Sequence, residues 1–282
     1  MFISVIIPVY NGEKGIEKAI QSALSQGEND VELIIVDGGS TDNTMAIVKL
    51  YADRISKYVS ERDSGYAEAL NKGIALASGD YILMLAADDR LLPHAIDGIK
   101  SSIKDDTDIW CGSILQMLPY GIKHWKSNPN LTELYHGCSL RHPATAFRRK
   151  LFALYGGYDT DYKCAADREI FLRMYTKGAV FQVEDIPVAL FTSEGISNKN
   201  ALTIAFPEDV IISEKYGVST VQAEKDRRIN IRKCVKSKRI AFLKCILAKM
   251  GLLSFIYHLC GKGEACMNKK DLENIGLNLQ DI

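Results

Sequence analysis

The feature that most constrains the fold is an alternation between short, continuous apolar runs and segments with helical spacing of apolar residues. Apolar runs occupy residues 3–9, 31–36 and 81–87, and polar or turn residues close each of them. Such runs are typical of strands buried on both faces of a parallel sheet. Residues 13–26 carry apolar side chains at the spacing of a helix that packs on one face. The pattern therefore predicts strands that alternate with helices.

Three further elements complete this alternation. A helix is expected to begin with Asp42 as its N-cap, another to span residues 64–77, and a short strand to lie at residues 57–61. This order is typical of an α/β fold with a doubly wound sheet. The 282 residues, 47% of them hydrophobic, are enough for one large or two modest cores. We therefore predict a Rossmann-like sheet flanked by helices.

Polar residues follow the predicted strands at the ends where this kind of fold binds ligands. Tyr10, Asp37 and Asp88 each come directly or almost directly after an apolar run. Because ligands of open α/β sheets bind outside the carboxyl ends of the strands, these three loops are expected to converge on one crevice.

The adjacent carboxylates Asp88 and Asp89 are the most informative polar pair. Two neighbouring carboxylates repel each other and are costly to bury without a positive partner. Mg²⁺ or Mn²⁺, bridging to a phosphorylated ligand, would be such a partner. An Asp-Asp pair that opens a surface turn is the alternative.

Five stretches in register resemble the family 2 glycosyltransferases, which have the GT-A fold, invert the anomeric centre and use nucleotide sugars. They are residues 5–11, 36–44, 60–65, 69–80 and 88–89, and residues 142–149 and 165–169 resemble the acceptor side of that family. The resemblance covers residues 1–217 and implies a GT-A catalytic domain. Its nucleotide-sugar-binding half would be residues 1–105 and its acceptor-binding half residues 106–217.

The resemblance also implies a donor site. The residues expected to bind the nucleotide sugar are Pro8, Tyr10, Asn11, Asp37, Gly39, Arg62, Asp63 and Asp88. In that arrangement Tyr10 lies on the pyrimidine, Asp37 accepts the uracil imide N–H, Asp88 binds ribose hydroxyls and Asp89 coordinates the Mn²⁺ or Mg²⁺ cofactor. The alternatives are an ordinary loop aromatic at Tyr10, a turn residue at Asp37 and a helix cap at Asp63. For Lys72, a solvated position on a helix face is favoured over a contact with the diphosphate.

Inversion by direct displacement requires a base that takes the proton of the acceptor hydroxyl. The candidate is Asp167, which opens a predicted helix, with Glu169 as the second choice. A carboxylate there could instead cap the helix, and the helix dipole would be expected to lower its pKa. Arg168 is expected to bear on acceptor choice. His142 could contact the acceptor or the diphosphate, or serve a structural role.

The C-terminal part differs in charge from the rest of the chain. Residues 225–249 contain ten Lys or Arg and one acid, although the whole chain has no net charge. We predict a basic, amphipathic helical extension over residues 218–282, with residues 225–260 on an anionic membrane surface. Packing on the catalytic domain or on another subunit of a homo-oligomer is the alternative. Nothing in the sequence indicates a nucleic-acid-binding module.

Seven cysteines, an odd number without a Cys-x-x-Cys pair, are expected to be free thiols. The first strand begins by residue 3 with no signal peptide before it, which predicts a cytoplasmic protein, peripheral on the inner face of the cell membrane. The resemblance implies transfer of a sugar from a UDP-sugar to a hydroxyl of a glycan or a lipid-linked acceptor in surface polysaccharide synthesis. The alternatives are a nucleotidyltransferase and a non-catalytic scaffold subunit that binds a sugar nucleotide.

Overall fold

The computed structural model describes residues 1–27, 31–118, 121–192 and 200–249, and for residues 241–249 the description is limited to the backbone. The predictions for residues 250–282, including most of the apolar part of the proposed membrane segment, lie outside this range.

The N-terminal half is the predicted parallel sheet. Four strands lie in the order β3-β2-β1-β4, and every neighbouring pair is parallel. The strands are β1 Ile3–Val9, β2 Val31–Asp37, β3 Lys57–Ser60 and β4 Tyr81–Met84. The helices that connect them are α1 Ile16–Leu24, α2 Thr44–Leu50 and α3 Tyr66–Leu76. All seven residues of β1 are buried, as expected of a central strand that is covered on both faces.

The second half extends the same sheet with mixed polarity. Beyond β4 the order is β8-β6-β9-β5, with β7 paired to β6. Only β6 and β9 are parallel in this half, and its other pairs are antiparallel. The strands are β5 Arg90–Leu91, β6 Ile109–Leu118, β7 Gly121–Trp125, β8 Thr145–Arg148 and β9 Phe181–Phe191. The helices are α4 Ala95–Ser102, α5 Lys150–Tyr155, α6 Ala166–Thr176, α7 Phe206–Lys215 and α8 Thr220–Lys249, with a 3₁₀ turn at Leu131–Tyr135.

Two apolar layers cover the sheet, one on each face. On one side Ile6 and Ile34 pack with Leu70 of α3 and Phe171 of α6. On the other side the alternate strand residues pack against α1 and α4. Because side chains alternate along a strand, continuous apolar runs are what such a two-sided core requires.

Two helix starts differ from the predictions. The first helix begins at Ile16 instead of residue 13, and the N–H groups of Gly12 and Glu13 bind the Thr44 hydroxyl and the Asp42 carboxylate. Asn43, not Asp42, occupies the N-cap of α2, although the Asp42 carboxylate accepts the N–H of Thr44 at 3.0 Å.

Helix α8 follows the predicted helical extension through residue 249. The amphipathic character of this extension stays a prediction. Within the part of the chain that the structure describes, no helix is long and apolar enough to cross a membrane.

Candidate active site

The loops after β1 and β2 join into one surface at the carboxyl edge of the sheet. The N–H of Asn11 donates to Ser40 Oγ at 2.8 Å, and Asn11 Oδ1 accepts the N–H of Thr41 at 2.8 Å. Pro8 lies opposite Val36 at the end of the β1–β2 ladder. Tyr10 follows with 63% of its surface exposed, as a residue that receives a flat ligand would require.

Asp37 holds the turn that follows β2. Its carboxylate is fully buried and accepts the N–H groups of Gly39 at 3.2 Å and Ser40 at 3.1 Å, together with the Ser60 hydroxyl at 2.6 Å. These bonds are the ones expected of a turn residue, the alternative raised for Asp37. Contact with a uracil ring stays a prediction.

The glycines after Asp37 let this turn approach residues 62–63. Gly39 has φ +83°, and a Cβ on Gly38 would lie 2.7 Å from Asp63 Oδ2. Asp63 Oδ1 accepts the N–H of Gly65, which is the N-cap of α3, at 3.0 Å. Asp63 therefore supports the start of α3, as the capping alternative proposed, while it borders the crevice beside the exposed Arg62.

Lys72 lies on the face of α3, the position that the sequence favoured over a contact with the diphosphate. Its ammonium lies 3.0 Å from Glu61 and 3.1 Å from Glu68.

The carboxylate pair lies where β4 ends. Asp89 is 1% exposed, and its Oδ1 accepts the N–H of Thr192 at 2.9 Å. Its Oδ2 is buried and has no hydrogen-bond partner among the residues that the structure describes. Asp88 Oδ2 accepts the Thr192 hydroxyl at 3.0 Å. Burial raises the pKa of Asp89 well above its usual value, and the neighbouring charge of Asp88 raises it further.

This geometry fits a hard divalent cation. A buried carboxylate oxygen without a partner is costly, and Mg²⁺ or Mn²⁺ would satisfy it. Within residues 1–27, 31–118, 121–192 and 200–249, no group of three or more His, Cys, Asp or Glu side chains could hold a metal. Mg²⁺ commonly binds through one or two carboxylates together with substrate phosphates and water, which is compatible with the pair of Asp88 and Asp89.

Thr192 is a site residue that the sequence did not reveal. It lies 103 residues from Asp89 and reaches the pair because β9 runs antiparallel to β5, the short strand directly after Asp89. No local pattern signals a contact made by a long-range strand pairing.

Asp167 lies at the second position of α6, but it does not cap the helix. The N-cap is Ala165, and the carboxylate of Glu208 accepts the N–H groups of Lys163, Cys164 and Ala165 at 2.7, 2.9 and 2.8 Å. Glu208 therefore holds the residues that lead into α6, while the Asp167 carboxylate accepts the N–H of Arg168 in the first turn of the helix.

The expected lowering of the Asp167 pKa is wrong. Burial raises the pKa of Asp167 to about 6, and the charge of Asp209 adds to the shift. One oxygen accepts the N–H of Arg168 at 2.7 Å, and the other lies 3.7 Å from the Cys138 thiol, a weak donor. A carboxylate with this pKa is a stronger base than an ordinary aspartate, which suits proton transfer near neutral pH.

Tyr66 links the carboxylate pair with Asp167. Burial raises the pKa of Tyr66, and the nearby charges of Asp167, Asp89 and Asp88 raise it further. Its side chain is 41% exposed and makes an edge contact with the His142 ring. The sequence gave no reason to select this first residue of α3.

The structure gives Arg168 a different role from acceptor choice. The side chain is fully buried, and its nitrogens donate to the carbonyls of Leu134, Tyr135 and Asp209 and to the side chains of Asp209 and Ser213. Arg168 therefore joins the 3₁₀ turn to α7 and has no exposed atom for an acceptor.

Glu169 also makes structural contacts. It is 1% exposed and accepts from Arg173 at 2.9 Å, Lys215 at 3.1 Å and the Tyr216 hydroxyl at 2.8 Å. A carboxylate that is paired twice and buried is a poor replacement for Asp167 as a base.

His142 fits the structural alternative. It is 7% exposed, its Nε2 lies 2.7 Å from the Tyr158 hydroxyl, and its ring contacts Phe147 and Phe171. Burial lowers its pKa to about 4, so the ring is neutral at physiological pH. The His142 ring packs edge-on against the Tyr66 ring.

Replacing Arg168 with alanine is expected to destabilise the protein by about 3–5 kcal/mol, because Asp209 and several carbonyls would lose a buried cationic partner. Urea unfolding measures the change. The matched control is Arg228→Ala, at an exposed position of α8, which should shift stability by less than about 0.5 kcal/mol. Equal effects of the two substitutions would contradict a structural role for Arg168.

The comparisons with known proteins identify the family of the chain. The family model described as glycosyl transferase family 2 matches residues 4–157, more than half of the chain, and the protein belongs to that family. An uncharacterized glycosyltransferase of Rickettsia typhi is 29% identical over 197 residues, which are 64% of this chain and 60% of the relative. The chain thus spans less than two thirds of that relative's length.

Two solved structures share the fold. TarS of S. aureus, in complex with UDP-GlcNAc, aligns with a TM-score of 0.62 and 19% identity over 75% of this chain and 64% of TarS. The mannosyltransferase PcManGT of Pyrobaculum calidifontis, in complex with GDP-Man and Mn²⁺, aligns with a TM-score of 0.61 and 19% identity over 91% of this chain and 79% of PcManGT. The GT-A fold predicted from the sequence is confirmed.

Proposed function

We propose that this glycosyltransferase moves a sugar from a UDP-sugar to a hydroxyl of a glycan or lipid-linked glycan, with inversion and with the help of Mn²⁺ or Mg²⁺. The observation that carries the proposal is the difference between two carboxylates whose charges both act on Tyr66. Asp89 is buried with an unsatisfied oxygen, and Asp167 has a pKa raised to about 6. Carboxylates whose environments differ in this way are suited to different tasks.

In this proposal the donor lies across the carboxyl edge of β1, β2 and β4. Tyr10 offers its exposed ring to the uracil, and the Asp37 turn and Asp63 border the nucleoside. Asp88 accepts ribose hydroxyls. The glycine at position 39 lets the turn come close to the ligand.

Asp89, with Asp88 beside it, would hold the divalent ion. When bound, such an ion supplies Lewis-acid stabilisation of the negative charge on a diphosphate. Thr192 fixes one oxygen of each carboxylate, so the free oxygen of Asp89 is directed before any ligand arrives.

Asp167 would accept the proton of the acceptor hydroxyl as that oxygen attacks the anomeric carbon. The Arg168 N–H holds one carboxylate oxygen, which fixes the direction of the other. Glu208 supports this arrangement because it holds the backbone of residues 163–165, which lead into the helix that carries Asp167.

Intact Asp89 and Asp167 favour an enzyme over a non-catalytic scaffold. The fold and family favour sugar transfer over nucleotidyl transfer. Surface polysaccharide as the acceptor, a cytoplasmic location, membrane-surface contact and homo-oligomer formation stay predictions, and ten basic residues over 225–249 are the support for a membrane surface.

The proposal is tested by incubating the protein with a panel of UDP-sugars and measuring UDP release, with Mn²⁺ and with EDTA. We expect release from one or a few UDP-sugars that depends on the added metal. Equal release in EDTA would contradict a role for the metal, and release from GDP-sugars alone would contradict UDP as the donor nucleotide.

The rate is also expected to depend on pH. The pKa of Asp167 is raised, so the carboxylate that acts as base accumulates as pH rises through about 6. At saturating donor and metal, kcat should increase with pH and level off above about pH 7. Circular dichroism at each pH checks that the protein stays folded. A flat profile down to pH 4.5 in folded protein would contradict Asp167 as the base.

A further inference from the structure

A cavity of about 400 Å³ lies beside the proposed base, outside the donor crevice. One wall is the end of the 3₁₀ turn and the residues after it, including His136 and Cys138. The opposite wall is the first half of α8, with Gln222, Asp226 and Asn230. Cavities of this size are within the range that small ligands occupy.

The cavity adjoins Asp167. Cys138 lines the cavity, and its thiol lies 3.7 Å from Asp167 Oδ2. A molecule that fills the cavity is therefore close to the carboxylate that would take a proton from an acceptor.

The two walls are already joined by polar contacts. His136 Nδ1 lies 2.7 Å from Asp226 Oδ2, Gln222 donates to Asp226 Oδ1 at 2.7 Å, and Asn230 donates to the His136 carbonyl at 3.1 Å. A ligand would thus meet fixed amide, imidazole and carboxylate groups, with little ordering left to do on binding.

The lining chemistry suits a neutral, polyhydroxylated ligand. Carboxylate and amide groups accept and donate hydrogen bonds to hydroxyls at short range. Lys233 also lines the cavity, but Glu133 and Asp226 face the same space, so a phosphate dianion would meet two like charges. A sugar unit fits this mixture better than a phosphate does.

We propose that this cavity is an acceptor subsite that binds one sugar unit of the acceptor glycan, next to the hydroxyl that attacks. The inference rests on the proposed function, because the cavity would bind the acceptor of the proposed reaction. Its second wall, α8, lies beyond residues 4–157, the part of the chain that the family model matches.

The test is saturation-transfer NMR on the full chain with a panel of methyl glycosides of common hexoses and 2-acetamidohexoses and their disaccharides. UDP and Mg²⁺ are present, because Mn²⁺ would broaden the signals. The variants are Asn230→Ala and Asp226→Asn. The control is Glu224→Gln, on the same helix but outside the cavity, where the side chain accepts from Arg227.

We expect at least one saccharide to bind the unmodified protein, both cavity variants to lower its affinity about tenfold, and the control to leave it unchanged. Saccharide binding that the cavity variants leave unaltered would overturn the proposal, and so would an absence of binding by the whole panel. UDP titration of the same samples reports the donor site separately. Failure of UDP to bind the unmodified protein would contradict the proposed function, while the saccharide result would still decide the cavity.

Discussion

Replacing Asp89 with asparagine is expected to lower the rate of sugar transfer by about 10²–10³-fold. The substitution keeps the shape of the side chain and an oxygen that can accept the Thr192 N–H, but it removes the charge at the buried oxygen without a partner. The diphosphate would then depart without the cation that balances its charge. UDP release and product formation, measured with saturating donor at several Mn²⁺ concentrations, give the effect.

The control for this substitution is Asp53→Asn, at an exposed position between α2 and β3. It removes the same charge from the protein and should leave the rate unchanged. If the transfer rate of Asp89→Asn were within twofold of the unmodified enzyme, Asp89 would not be the residue that holds the metal.

Asparagine at position 167 is expected to spare donor binding and to lower transfer by about 10²–10⁴-fold, the range for loss of a general base. The amide keeps an acceptor for the Arg168 N–H, so the start of α6 should be preserved. The protein that carries it should bind UDP with unchanged affinity, which separates the loss of a base from the loss of the donor site.

Asp161→Asn is the matched control for Asp167→Asn, because Asp161 is exposed and lies six residues earlier in the chain. If the Asp167→Asn variant retained transfer activity, a group other than Asp167 would be the base. Glu169, the second choice from the sequence, is an unfavourable replacement because its carboxylate is already paired with Arg173 and Lys215.

The parallel half of the fold could be predicted because its signals are local. The apolar runs at Ile3–Val9 and Val31–Asp37 specify strands buried on both faces, and the spacing between them specifies a helix. From two such strands the position of the ligand crevice follows, since their carboxyl ends meet at one edge. The structure joins these loops through Asn11, Ser40 and Thr41.

The acceptor side was harder to predict because long-range contacts decide it. Thr192 reaches Asp89 through strand pairing, and Glu208 binds the backbone just before a helix that begins more than 40 residues earlier. Arg168 was expected to bear on acceptor choice, yet it lies buried between the 3₁₀ turn and α7. Neighbours along a helix point in different directions, so sequence adjacency to a base does not place a side chain in the site.

The pKa of Asp167 also depends on long-range contacts that the local sequence does not reveal. Its place in the first turn of a helix predicts a lowered value. In the structure the pKa of Asp167 is raised instead, because burial is the largest influence and Asp209, 42 residues later in the chain, adds a like charge. Neither effect can be seen in the local sequence.

The most direct test of the central claim is calorimetric titration of the purified protein with UDP, with and without Mn²⁺, on the unmodified chain and on Asp89→Asn. We predict that UDP binds the unmodified chain much more tightly with Mn²⁺, and that Asp89→Asn loses this difference. UDP binding of equal strength in all four titrations would contradict a metal-dependent donor site at Asp89, and no binding in any of them would contradict UDP as the nucleotide.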